Sequence, residues 1–185
     1  LAPMRQYREY VEWQRASAGI TSDDGALKYW AEKLDGGREF RIPNDYGRPD
    51  RYSRPFSLHV FSIEAGPIAA AADLATATRG TLFMVLLSAI YVLANQLTGA
   101  TDLAVNVMTA GRNDYQFHNT MGLFASVVPF RTEIADCARF RDVVLKTRET
   151  FIEAMAHALP VEAIVPTIPD YTSPRKDKRR SALVI

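Results

Sequence analysis

The chain has 185 residues, 48% of them hydrophobic and 23% charged, with a net charge of +1. That balance fits one globular domain or one lobe of a larger protein, and it excludes the strong positive field that nucleic acid binding calls for. Cys137 is the only cysteine, which excludes an intrachain disulfide and a multi-cysteine metal site and suits a reducing cytosol.

No secretory leader is read at the start, because Arg5, Arg8 and Glu9 come before any apolar run. Tyr7, Tyr10, Val11 and Trp13 predict a short amphipathic helix from Pro3 to about Arg15. Ile20-Thr21-Ser22-Asp23 is a break with capping residues. Leu27, Trp30, Ala31 and Leu34 then share one face of a second helix, which Gly36-Gly37 ends. Arg38 to Arg54 is polar, carries Pro43, Gly47 and Pro49, and is expected as an extended surface connection. Phe56 to Ile63 is expected as a strand with Phe56, Leu58 and Val60 on one face. Gly66-Pro67 opens a third helix, whose buried stripe is Ile68, Ala71, Ala72 and Ala75.

Thr81 to Arg112 organises the rest. Leu82 to Ala94 is apolar on nearly every face, which predicts a helix surrounded by protein. It is too short for a membrane span, which needs ~20 apolar residues. Thr81 should cap its start and Thr98-Gly99 should close it. Leu103 to Met108 predicts a short strand covered on both faces. Thr109-Ala110-Gly111-Arg112-Asn113 leaves the strand end, where functional loops often lie.

Asn113 to Thr120 is a polar loop and Met121 to Phe124 an apolar turn. Ser126 to Ile134 is the third strand, with Val128, Phe130, Thr132 and Ile134 on one face. Pro129 within it implies an edge or a bulge, because proline donates nothing to a ladder. Phe140, Val143, Val144, Thr147, Phe151, Ala154, Met155 and Ala158 trace the inner face of a long helix, and Pro160, Pro166 and Pro169 break regular structure beyond it. The five basic residues between Arg175 and Arg180 read as a solvated loop. Ala182 to Ile185 looks like the start of a strand, which implies a fragment or a terminus that adds to another sheet. The order is αα, β, αα, β, β, α, β. It predicts an α/β or α+β layered lobe with a mixed sheet backed by helices.

Few residues point to chemistry by themselves. His59 sits in an expected strand and reads as a sheet-surface residue. His118, near Asp114, is a solvated loop histidine or an acid–base group. His157 ends the long helix, where an imidazolium would meet the negative pole, or contacts substrate. Arg112 would meet a phosphate or carboxylate through its planar fork, or hold its loop by a structural hydrogen bond. Ser126 lacks a nucleophile elbow, and no metal-ligand spacing or nucleotide-binding glycine loop is present.

Several motifs occur in a telling order. Tyr7-Arg8-Glu9-Tyr10-Val11-Glu12-Trp13 resembles a Tyr-x-Asp-Tyr-x-x-Trp motif, with Glu9 at the aspartate position. Tyr29-Trp30 with Leu34-Asp35-Gly36, and Ala110-Gly111-Arg112-Asn113, come after it. Met121 to Arg131 resembles Gly-x-Phe-Val-Asn-Thr-x-x-x-Arg, with Ser126 and Val127 replacing asparagine and threonine. His157 to Glu162 resembles His-Gln-Asp-x-Pro-Phe-Glu, with Val161 replacing phenylalanine. A final Arg-Asp-x-Ser-Arg-Asn-Pro motif is degenerate around Lys178 to Ser181. Together they resemble the C-terminal lobe of the condensation domains of nonribosomal peptide synthetases, which share the chloramphenicol acetyltransferase-like fold.

The resemblance implies one lobe over 1–185: a helical opening segment at 1–37, an extended connection at 38–54, and sheet and helices at 55–185, with the N-terminal lobe absent. It implies acyl transfer between carrier-bound substrates, with the essential histidine in a His-His-x-x-x-Asp-Gly motif that this chain lacks. The chain alone is therefore expected not to catalyse. Arg112, Asn113, Ser126 and His157 are the implied tunnel-wall or loop-support residues. No bound cofactor is expected, phosphopantetheine arriving on partner carrier proteins. The implied partners are the N-terminal lobe and peptidyl or acyl carriers, with a homodimer through Leu183 to Ile185 as a further option and neither nucleic acid nor membrane. Two other readings stay open: a non-catalytic docking or dimerisation module, and a related acyltransferase using a soluble alcohol or a coenzyme A ester.

Overall fold

The computed structural model describes residues 5–20, 24–37, 42–43, 58–112, 114–159 and 161–164. The expected C-terminal strand, its proposed dimer contact, the basic run at 175–180 and Asn113 lie outside the described residues. The elements are α1 (Tyr7–Ile20), α2 (Asp24–Leu34), α3 (Ala65–Ala77), α4 (Leu82–Thr98), β1 (Asp102–Thr109), a 3-10 turn (Tyr115–Phe117), β2 (Ser126–Glu133), α5 (Phe140–Ala156) and α6 (Val161–Ile164). α1 extends beyond the expected Arg15 to Ile20.

β1 and β2 form a two-stranded sheet among the described residues. Thr109 Oγ1 donates to the Ser126 carbonyl at 3.2 Å, and the Ile134 amide donates to Thr101 at 2.9 Å. The end of one strand thus meets the start of the other, which makes the pair antiparallel. Among the described residues each strand is paired on one side only, which accommodates Pro129.

The chain divides into two compact units, each assembled from separate stretches. The first holds Leu1–Gly37, Ala104–Arg131 and Ile152–Ile185. Within it Tyr10, Phe117 and Phe124 form one buried aromatic cluster. α2 packs against α6, and Trp30, fully buried, donates from Nε1 to the His157 carbonyl at 2.7 Å.

The second unit holds Arg38–Leu103 and Thr132–Phe151. α3 packs on α4, and Ala75, Val85 and Val144 form its buried centre, with Ala71 and Leu74 against it. Ser88 on α4 lies 2.9 Å from Thr147 on α5, both buried, and 2.7 Å from the Met84 carbonyl. Each hydroxyl has one proton, so Ser88 serves the carbonyl while Thr147 donates to Ser88. A second buried hydroxyl pair joins Thr132 to Thr150 at 3.2 Å. Burial pushes the Tyr91 hydroxyl up, and a hydrogen bond to Thr132 partly offsets this.

The ends of these helices follow local chemistry. Thr81 accepts from the Met84 amide at 3.3 Å, and Gly99 takes the left-handed conformation at φ 72°. α3 ends differently. The Gly80 amide reaches the Ala75 carbonyl at 2.8 Å and the Arg79 amide reaches Thr76 at 3.1 Å, which is a Schellman closure. The left-handed position is filled by Arg79, at φ 54°, rather than by the glycine one residue later.

Four expectations are corrected. Leu58 to Ile63 forms no strand, and Leu58, Val60, Phe61 and Ile63 are exposed; Phe56 and Ser57 lie outside the described residues. Among the described residues this stretch has no ladder partner to satisfy its backbone, so alternation alone does not make a strand. β1 alternates in burial, with Leu103, Val105 and Val107 inside and Ala104 and Met108 exposed, so only one face is covered. α4 is not enclosed on all sides, because Phe83, Leu86, Leu93 and Leu97 are exposed. On α3 the alanine stripe is shifted: Ala72 is exposed, and the buried contacts come from Ala71, Leu74 and Ala75.

Candidate functional site

The turn after β1 is built around one arginine. Gly111 is left-handed, with φ 63°, and a Cβ there would overlap the Phe124 carbonyl. Glycine is therefore required for both its conformation and its lack of a side chain. The next residue, Arg112, turns back over the loop. Its Nη1 lies 2.9 Å from the Phe117 carbonyl, 3.2 Å from that of His118 and 2.8 Å from that of Thr120, so its two protons serve three acceptors and one is shared. Its guanidinium carbon lies 4.0 Å from the centre of the Phe124 ring. His118 Nε2 reaches the Arg112 carbonyl at 3.1 Å, which closes the loop from the other side. A planar, permanently charged donor fork suits such a multi-carbonyl clamp, and stacking on an aromatic face adds to it.

Asp114 helps shape the same loop. Its carboxylate accepts from the Gln116 amide at 2.9 Å and from the Gln116 side chain at 2.8 Å. The first of these bonds is the main reason its carboxyl titrates below the usual range.

α1 braces the loop through aromatic rings. Tyr7, Tyr10 and Trp13 recur every three residues on one helix face. Tyr10 lies 4.4 Å from Phe124 and 5.2 Å from Phe117, ring centre to ring centre. Trp13 lies 5.4 Å from Phe117. Tyr7 packs edge-on to Phe124 at 5.4 Å, and its hydroxyl donates to the Leu123 carbonyl at 2.7 Å. The Tyr7 ring covers Gly122 so closely that a Cβ at that position would clash with it. The Tyr-Tyr-Trp spacing near the start of the chain thus supports a loop more than one hundred residues later. Sequence reasoning reads those residues as a motif but assigns them no site role. The signal available was the aromatic spacing.

His157 is held by α2 and α5. Its Nδ1 lies 2.9 Å from the Glu153 carbonyl, one turn back on α5. Its ring stacks on Tyr29 at 4.1 Å with 12° between the planes. The Tyr29 hydroxyl is buried with no hydrogen-bond partner among the described residues, and burial, then the Glu153 charge, pushes it up to about 12. Arg131, at the end of the Met121–Arg131 motif, donates to the carbonyls of Lys33 and Asp35, where α2 ends. The carbonyl end of a helix attracts such a cation.

Ser126 is half-buried at the start of β2, and its carbonyl is engaged by Thr109. His59 is in the extended stretch before α3, with Phe61 5.9 Å from its ring. The structure therefore brings Arg112 and His118 together and places His157 with Tyr29. No group of three or more histidine, cysteine, aspartate or glutamate side chains among the described residues is arranged to hold a metal. No single described helix is long and apolar enough to cross a membrane. Chemically, the arrangement is one of rigid donors already committed to backbone carbonyls. It can shape a surface, and no paired acid and base stands among these described side chains.

A profile of the condensation domain matches residues 1–181. The chain belongs to the condensation-domain family. The dimodular nonribosomal peptide synthase of Bacillus subtilis is 32% identical over 167 residues, covering 86% of this chain and 7% of that protein. The solved SgcC5 protein of Streptomyces globisporus is 31% identical with a TM-score of 0.77, over 92% of this chain and 38% of that one. The first condensation domain of the CDA synthetase is 18% identical and superposes with a TM-score of 0.78, over 94% of this chain and 39% of that one. The fold is thus the mixed helix-and-sheet fold of condensation domains, as the motif order implied. The chain spans well under half of the solved chains it matches.

Proposed function

We propose that this chain is the C-terminal lobe of a condensation domain in nonribosomal peptide synthesis. It lines a tunnel in which an amine or hydroxyl on one carrier-bound substrate attacks the thioester of another. The observation that carries this reading is the family match over residues 1–181 in a chain whose three histidines, at 59, 118 and 157, include no adjacent pair. Such a transfer needs a group that manages the nucleophile's proton and donors that stabilise the oxyanion. The described His118 and His157 are both engaged with backbone carbonyls. The proton-handling group is then supplied by the N-terminal lobe.

In this reading Arg112 is a loop-support residue: it fixes the turn after β1 so that the tunnel wall keeps one shape. Ser126 and His157 serve the same wall from the strand start and the helix end, and Asn113, outside the described residues, is the fourth candidate. The chain holds no prosthetic group of its own, and phosphopantetheine enters on the carrier proteins that dock against the assembled domain. The test is complementation. A separately expressed N-terminal lobe bearing the paired histidines is mixed with this chain and with loaded donor and acceptor carriers. The reading predicts association and restored transfer. Failure of the two lobes to associate would favour a free-standing docking module instead.

A further inference from the structure

α4 carries two apolar faces, one of them buried and the other largely exposed, with Phe83 at its start packed edge-on to Phe151 at 5.9 Å. Met84, Val85, Leu87, Ser88, Tyr91 and Ala94 are buried. On the other side Phe83, Leu86, Ile90, Leu93 and Leu97 succeed one another at steps of three, four, three and four residues. That spacing repeats every 3.5 residues on average, the period of a seam that receives another helix. Phe83, Leu86, Leu93 and Leu97 are exposed, Leu93 by 52%, and Ile90 is half-buried. The stretch before α3, in the same compact unit, exposes Leu58, Val60, Phe61 and Ile63 as well.

We infer that this seam is covered by a helix from the same condensation domain, contributed by polypeptide outside these 185 residues. This rests on the lobe reading above. Two observations choose this occupant. First, α4 contains no charged residue at all. A helix seam between separate chains is usually flanked by charges that set partner and register, and a docking face that is sometimes bare has a polar rim. Here the flanking positions are Leu82, Leu87, Ala89, Ala94 and Gln96, which suits permanent cover. Second, this chain accounts for only 38% and 39% of the two solved relatives, so most of the fold's polypeptide lies beyond it.

The experiment measures thiol labelling in the complete condensation domain that contains this chain, in a Cys137→Ser background. Leu93→Cys and Leu97→Cys probe the seam, and Glu149→Cys on α5, which is exposed, is the reference. N-ethylmaleimide modification under native conditions is followed by mass spectrometry. Both seam thiols should react at least tenfold more slowly than the reference. Two positions are used so that a folding defect in one leaves the other to decide. Equal reactivity at seam and reference would overturn the inference. So would protection that appears only on self-association of the isolated chain and disappears on dilution, since that makes a second copy the occupant. Acyl transfer is assayed on the same complete domain. An active domain with reactive seam thiols sinks the inference alone, whereas an inactive domain with protected thiols sinks the lobe reading alone.

Discussion

At the scale of single residues, the site depends on which donors are already committed. Arg112 satisfies three carbonyls that would otherwise be left in a crowded loop. Arg112→Ala should cost about 2–3 kcal/mol in urea unfolding, and Arg112→Lys about half of that, because an ammonium keeps the charge but loses the planar stack on Phe124. An unchanged midpoint for Arg112→Ala would show that the clamp holds nothing. The sequence left Arg112 open between anion binding and loop support, since a glycine turn followed by arginine suits both. The three carbonyls that distinguish them come from residues five to eight positions later. Tyr29 makes the opposite case. Its buried hydroxyl lacks a partner among the described residues. Tyr29→Phe keeps the stacking on His157 and should be neutral or stabilising, by up to about 1 kcal/mol. Its folded pKa is raised from 10.0 to about 12. The stabilising contribution is therefore complete below pH 10 and is lost as pH rises toward 12. The phenylalanine variant should show a flatter alkaline fall in stability, and an identical fall would contradict the assignment.

At the scale of elements, the helix ends were partly legible. Thr81 and Gly99 are sequence signals of a start and a stop, and both serve as expected. The end of α3 was not legible, because the left-handed position is filled by Arg79 and the glycine stands one residue later. A non-glycine residue in that conformation costs roughly 1 kcal/mol. Arg79→Gly should therefore raise stability by about that amount in denaturant melts, and a loss would mean that the Arg79 side chain has a compensating role. The Ser88–Thr147 pair joins α4 to α5 inside the second unit. Thr147→Val leaves Ser88 without its donor and should cost about 1–3 kcal/mol. Replacing both residues with apolar ones of similar size should recover much of that loss. Polar residues on apolar helix faces hinted at such a pair, but nothing local said that they face each other.

At the scale of the whole molecule, motif order did more than periodicity. The aromatic residues of α1, the glycine-arginine turn and the Met121–Arg131 stretch lie far apart in sequence and meet in one unit. Their order alone pointed to the condensation-domain fold. What failed was the reading of burial. β1 and α4 were each expected to be covered on all sides, yet Ala104 and Met108 on one and Phe83, Leu86, Leu93 and Leu97 on the other are exposed, as are Leu58, Val60, Phe61 and Ile63. An apolar pattern reports that cover is required, not whether these 185 residues supply it. In the proposed function these residues form one wall of an acyl-transfer tunnel whose proton-handling histidine lies in another lobe. The most direct measurement is single-turnover transfer between two loaded carriers, with this chain alone, with the N-terminal lobe alone, and with both. Product is expected only in the mixture, and none when the paired histidines of the added lobe are replaced by alanine. Transfer by this chain alone would contradict it.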